Sequence, residues 1–430
     1  MKDYLSNDVQ IITEVDENNC FKSKSGKTMY DGVSTLLNTN LGHKNSEVME
    51  EIVRQLHILD SSSLFTSTNE IAISCSEKLC EITDGHYYST FFTNSGSEAC
   101  DTALKIVLKY WKNKGENRNK ILSLSGAYHG ASVGGMMLAH GYYPMEDYSL
   151  GHANFHQTPQ PDPLKCPEGM DQEAWVDWCI EEFQRYCREN EGKIAAIFFE
   201  LVQLSNAANA LPTRFVTELD KCCKERGILV VVDEVATGFG RTGSMFASDD
   251  YGIKGDLMML AKGISSGYVP MGAVLVTEEI YRGFYGKTSE KKQLDHGYTT
   301  AGHPVACAAA LKTIEVMEKT GCVEEGRKTG EYLLREMNNR IGNSPLVETI
   351  RGKGLMLAII FKKITIKSME EWGVAEILTS FLINKGLLLY PDSPTVLIIA
   401  PPLNVTTEEC DRILSALEDS VKKIEFLMDK

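Results

Sequence analysis

Between about residues 90 and 280, short apolar runs alternate with longer amphipathic stretches, and this alternation limits the possible folds more than any other feature of the chain. The runs at 121–124, 194–199, 228–232 and 257–260 are short and apolar on both faces. A strand with no polar face must be covered on both sides, as in a sheet held between helices. An α/β architecture is therefore expected, with a mainly parallel sheet in a large domain. After Gly302 the pattern changes. Helical periodicity over 304–319 and 323–341 leads to a strand-like segment at 355–361, a helix over 370–385, strands at 387–390 and 396–400, and a last helix over 406–428. These elements predict a smaller α+β domain. The division is expected at 1–60 for an N-terminal segment joining the small domain (with a helix over 46–56), 61–310 for the large domain and 311–430 for the small one. No internal repeat or low-complexity tract interrupts the pattern.

Composition removes several function classes. Lys and Arg number 44 against 59 Asp and Glu in 430 residues, a formal charge of −15. Phosphate backbones are bound by clustered positive charge, so a nucleic-acid partner is not expected. With 43% hydrophobic and 24% charged residues, the chain can bury a large core. Twelve cysteines contain no CxxC pair, and Cys222 and Cys223 are neighbours in a helical pattern, so no metal site is expected. The opening MKDYLSNDVQ lacks an apolar signal region and no run of 18 apolar residues occurs, which predicts a cytoplasmic protein without a membrane span.

Four loops carry residue types capable of chemistry. Asn94-Ser95-Gly96-Ser97-Glu98 runs from an apolar stretch into a helix. Ser95 and Glu98 match a capping box, while Gly96 and Ser97 would leave backbone N–H groups free for a phosphate; both readings stay open on these residues alone. Gly130-Ala131-Ser132-Val133-Gly134 spells the GxSxG of a hydrolase elbow, with Ser132 as nucleophile, yet five residues separate it from the preceding strand. Gly238-Phe239-Gly240-Arg241-Thr242-Gly243 spells a dinucleotide fingerprint, but Asp233-Glu234-Val235 stand between it and the strand, and no long helix follows. Finally, Lys262 lies just beyond the apolar run 257–260. A lysine at the end of a buried strand loses hydration, which lowers its pKa from about 10.4 and favours Schiff-base chemistry.

In order along the chain stand NSGSEA, AYHG, VVVDEVATGFGRTG, LAKGISSGYVPMGA, HGYTTAGHP and APPL. This ordered set closely resembles the class III, or omega-type, aminotransferases, pyridoxal-phosphate enzymes of fold type I. The resemblance spans nearly the whole chain, from Asp31-Gly32 through Asn40-Leu41-Gly42-His43 to Pro401-Pro402-Leu403. It implies pyridoxal 5′-phosphate as cofactor, an amine or amino acid and a keto acid or aldehyde as substrates, and a ping-pong reaction. By position, Lys262 matches the lysine that binds the cofactor and moves the proton, and Asp233 the carboxylate facing the pyridine nitrogen. Ser95, Gly96 and Ser97 match the phosphate turn. Tyr128 and Val235 match the groups on the two ring faces, with His129 as a second polar contact and Glu200 as an acidic neighbour. Thr299 matches a threonine that reaches the phosphate from the other subunit of a homodimer. A racemase or aminomutase on the same scaffold is the alternative, and a serine hydrolase using Ser132 a remote one.

Several positions depart from the family pattern. Glu200 is followed by Leu201 in place of the usual proline, and Ala236 stands where several relatives have Gln. The arginine that grips a substrate carboxylate in many relatives is matched by Ile398 or Tyr390, neither of which can do so, and Leu37 replaces a bulky aromatic at the cavity mouth. These departures predict a pocket for an amine or amino acid with an apolar or extended chain.

Overall fold

Seven strands form the central sheet of the computed structural model, which describes residues 10–148, 151–364 and 372–428. Their order across the sheet is Ser89–Thr93, Gly272–Val276, Leu257–Leu260, Leu229–Asp233, Ile194–Phe199, Lys120–Leu124 and Phe155–Thr158. Only Gly272–Val276 runs antiparallel to its neighbours, so the sheet is mainly parallel as expected.

The doubly apolar runs are covered on both faces. Ile197, Phe199, Val230 and Val232 share one core with the helices Gln172–Glu189 and Thr213–Arg226. Ala196, Phe198, Leu229 and Val231 share another with the helix Gly96–Lys114. Side chains alternate along a strand, and that alternation sorts the acidic pair at the end of Leu229–Asp233. Asp233 is in phase with Leu229 and Val231, toward the Gly96–Lys114 side. Glu234 takes the opposite phase, where its carboxylate accepts N–H groups of Ala247 (3.1 Å) and Ser248 (2.8 Å). Asp233 itself ends the strand, one residue beyond the run read from sequence.

Beyond Gly302, helices Pro304–Thr320, Cys322–Ile341 and Thr407–Met428 follow the predicted periodicity. Val347–Lys353, Met356–Phe361, Val396–Ile399 and Tyr390–Ser393 build an antiparallel sheet. The single strand expected at 387–390 is two strands. Leu387–Leu388 pairs in parallel with Thr28–Asp31, and after Leu389 the chain changes partner, so that Tyr390–Ser393 pairs with Val396–Ile399. The helix expected over 370–385 is observed as Val374–Asn384, while Glu370 and Glu371 lie outside the described residues. The helix expected over 46–56 continues to Ile58. Among the described residues no helix is long and apolar enough to cross a membrane.

The backbone at Ser34, Thr35, Leu36 and Leu37 turns left-handed, with φ of 50°, 48°, 64° and 61°. For L-residues this conformation costs about 1–2 kcal/mol each, so its surroundings must hold it. Buried Asp31 accepts the N–H groups of Val33 (3.2 Å) and Thr35 (2.8 Å) and the Thr35 hydroxyl (3.1 Å). Fully buried Arg241 donates to Ser34 Oγ (3.1 Å), Asn40 Oδ1 (2.7 Å) and the carbonyls of Leu355 (3.1 Å) and Pro401 (2.6 Å). The 238–243 glycine motif thus carries an arginine that ties both chain ends to the large sheet. Arg241→Ala leaves four buried acceptors without their donor. It should lower the unfolding free energy by about 3 kcal/mol or more, read as a fall in the urea midpoint followed by circular dichroism.

Candidate active site

The strands Ile194–Phe199, Leu229–Asp233 and Leu257–Leu260 end at one side of the sheet and deliver Glu200, Asp233 and Lys262 to a single cavity of about 520 Å³. Ligands in open α/β sheets bind outside the carboxyl ends of the strands, where loops leave a crevice. Ser95, Gly96, Ser97, Tyr128, His129 and Val235 line the same cavity. Of the residues matched to cofactor contacts by the resemblance, Thr299 alone is absent from this wall; it is exposed on its own chain.

Lys262 has a left-handed φ of 45°, an uncommon conformation for a residue with a side chain, at the start of the 3₁₀ turn Lys262–Ser265. Burial lowers its pKa from the ordinary lysine value, and the charges of Asp233 and Glu200 only partly oppose this. Among the described residues its amine makes no hydrogen bond or ion pair. An amine so placed spends more time as the free base, the form that attacks carbonyl carbon.

Asp233 and His129 form a buried pair, 4% and 3% exposed, with His129 Nδ1 2.7 Å from Asp233 Oδ2. Burial opposes a charged imidazole, but the hydrogen bond and charge of Asp233 outweigh it and hold the His129 pKa above the ordinary value. The other carboxylate oxygen of Asp233 accepts the Val235 N–H at 3.0 Å, so the group is fixed from both sides. Glu200 accepts the Tyr128 N–H at 3.0 Å, and burial pushes its pKa up to about 7.

The start of the Gly96–Lys114 helix is capped unevenly. Ser95 Oγ accepts the Glu98 N–H at 3.2 Å, as a capping box requires, but the Glu98 carboxylate reaches back to Asn94 N–H (2.7 Å) rather than to Ser95. Among the described residues the N–H groups of Gly96 and Ser97 have no protein partner, and with the helix dipole they form an anion site. Gly130, at φ 118°, packs so tightly here that a Cβ would come within 2.8 Å of Ser97 Oγ. Ser97 Oγ in turn accepts the Ala131 N–H at 3.0 Å. The GxSxG motif is therefore a packing element of this turn. Ser132 donates to the Ser97 carbonyl at 3.2 Å and not to a histidine, which removes it as an elbow nucleophile. Gly130→Ala should displace Ser97 and weaken binding of a phosphorylated ligand by at least about tenfold, measured by titrating the purified protein with that ligand.

A family model described as Aminotransferase class-III matches residues 4–421. The chain belongs to the class III aminotransferases. It is 32% identical to the adenosylmethionine-8-amino-7-oxononanoate aminotransferase of Anoxybacillus flavithermus, covering 98% of this chain and 93% of that one. It is 30% identical to the omega-amino acid–pyruvate aminotransferase of Pseudomonas putida, over 93% of this chain and 89% of that one. A solved amine transaminase from an uncultivated Pseudomonas species, described as PLP-bound, superposes with a TM-score of 0.89 at 30% identity, covering 96% of this chain and 95% of that one. The architecture is that of fold type I.

Parts of the wall of this class III aminotransferase were not foreseen from sequence. Thr35, Leu36 and Asn38 enter from the N-terminal segment, Tyr142 from the loop after the Val133–Leu138 helix, and Asp392 from the small antiparallel sheet. Leu36 lines the cavity, whereas Leu37, the residue expected at its mouth, is buried in the core at 1% exposure. The left-handed turn reverses the orientation expected for an ordinary loop. Of the two positions matched to the carboxylate-binding arginine, Tyr390 lines the cavity and Ile398 is fully buried in a hydrophobic cluster.

Proposed function

We propose that this aminotransferase uses pyridoxal 5′-phosphate, held in the cavity that Lys262 lines, to move an amino group from an amine or amino acid to a keto acid or aldehyde in a ping-pong cycle. The observation that carries the reading is the meeting, in one cavity, of a charge-suppressed lysine, a fixed buried carboxylate and an open helix N-terminus. The residues fit the group. Gly96 and Ser97 offer free N–H groups to a phosphate, and a Cβ at Gly96 would strike Val235 at 2.8 Å, so the cradle admits only glycine there. Tyr128 and Val235 supply the flat walls that a ring needs.

When bound, pyridoxal phosphate supplies an electrophilic aldehyde and a ring able to accept electron density. This chain's residues do the rest. Lys262 holds and moves a proton at Nζ, its free-base form favoured by burial. Asp233 keeps negative charge in place, and His129, donating from Nδ1, fixes its orientation from behind. Glu200 positions the Tyr128 backbone. Thr299 is assigned to the neighbouring subunit's site in a homodimer, a reading supported by its exposure away from its own cavity. The divisions at 60 and 310 and a cytoplasmic location are retained as parts of the proposal; the latter is supported by twelve free cysteines. The test is borohydride reduction of the purified, cofactor-loaded protein followed by peptide mapping. A pyridoxyl label on Lys262 is expected, and a label elsewhere, or a protein that cannot be loaded, would reject the assignment.

A further inference from the structure

The cavity wall carries one lysine, Lys262, no arginine, and three carboxyl groups: Glu200, Asp233 and Asp392. The first two are engaged by backbone N–H groups or by His129. Asp392 differs: among the described residues it has no hydrogen-bond or ion-pair partner, although it is half-buried. A half-buried carboxylate without a counter-charge is unfavourable, and a cationic ligand relieves it. Asp392 comes from the strand Tyr390–Ser393 of the small antiparallel sheet, whereas Glu200, Asp233 and Lys262 come from strand ends of the central sheet. Its charge is felt at the Tyr142 phenol, whereas the carboxylates felt at Lys262 are Asp233 and Glu200. Burial pushes the Asp392 pKa up to about 6, which leaves it mostly ionised at neutral pH. The same wall holds Tyr142 and Tyr390, a residue type that attracts ammonium groups, and Leu36 and Leu204, which suit a methylene chain.

We infer that Asp392 receives a second, cationic amino group at the far end of the donor, so that α,ω-diamines are the preferred donor class over ω-amino acids. The inference rests on the aminotransferase site proposed above. Asp392 follows two residues after Tyr390, one of the two positions matched to the carboxylate-binding arginine, and its negative charge reverses the sign of the end group the pocket accepts. Asp392 is a specificity-determining residue in this account and takes no part in proton movement.

The experiment uses the cofactor-loaded protein and compares kcat/KM in the amine half-reaction for putrescine and cadaverine against butylamine and pentylamine, and against γ-aminobutyrate. The wild type should favour each diamine over the monoamine of equal length by about 10- to 100-fold, the scale of one charge-assisted hydrogen bond. Asp392→Asn should bring that ratio close to one, and Asp392→Arg should shift preference toward γ-aminobutyrate. A ratio between two donors cancels any general loss of folding or cofactor occupancy. Calorimetry on Lys262→Ala protein should show the same ratio in Kd. A wild-type ratio near one, or a ratio untouched by Asp392→Asn, would overturn the inference. No half-reaction with any amine would instead sink the functional reading, and this inference with it.

Discussion

Lys262→Ala should reduce amino transfer by about 10⁴-fold or more, because in the proposed function one side chain both anchors the reactive carbonyl and moves the proton. The loss should fall on kcat rather than on folding. Lys262 adopts a left-handed φ, so alanine inherits the same backbone cost, and its amine has no partner among the described residues to leave stranded. Thermal unfolding of the variant should therefore stay near that of the wild type while turnover vanishes. The paired control is Ser132→Ala. Its hydroxyl donates only to the Ser97 carbonyl, outside the cavity wall, so activity within about threefold of wild type is expected. Lost activity in Ser132→Ala together with retained activity in Lys262→Ala would reverse the assignment.

Asp233→Asn should lower kcat by about 10³-fold, the scale seen when one fixed electrostatic partner of a reacting group is removed. The substitution keeps the shape and removes the charge. It also removes what holds the His129 pKa up, since burial alone pushes that pKa down. His129 should thus titrate at lower pH in the variant, measurable by NMR of the imidazole. The consequence for stability has a definite sign. A histidine whose folded pKa is raised above its unfolded value adds stability that is complete below the unfolded pKa and is lost as pH rises through the folded one. Wild type should carry this contribution on the acidic side, and Asp233→Asn should lose it, so the two unfolding curves should converge toward alkaline pH. Asp233→Ala should be less stable than Asp233→Asn, because it leaves the His129 Nδ1 hydrogen and the Val235 N–H without acceptors.

The meeting of Glu200, Asp233 and Lys262 in one cavity was legible because it rests on local rules. An apolar run that stops at a charged residue marks the end of a buried strand, and Glu200, Asp233 and Lys262 each follow or close such a run. The turn at Ser95–Glu98 was half legible. Its N-cap serine behaves as the motif predicts, but the choice of Asn94 over Ser95 by the Glu98 carboxylate depends on loop geometry that no spacing encodes. The rest of the wall was only partly legible: Tyr390 and Ala236 were weighed from sequence, while Leu36, Tyr142 and Asp392 were not. Asp392 lies on a short strand of another sheet, and nothing around it in sequence separates it from the many solvated acids of a chain with charge −15. Leu37 was expected at the cavity mouth, where Leu36 stands, because a left-handed turn without glycine has no sequence signature; the turn is held by Asp31 and by Arg241 from a distant segment. Arg241, in turn, sat inside a motif that spells a dinucleotide fingerprint while its side chain was committed to joining the chain's two ends.

The account stands most directly on a single-turnover experiment. Cofactor-loaded protein mixed with an amine donor, without an acceptor, should lose its aldehyde-form absorbance and release one equivalent of carbonyl product per site, and adding a keto acid should restore the absorbance. If the absorbance stays unchanged, or carbonyl product keeps accumulating with no acceptor present, this cavity does not carry out amino-group transfer.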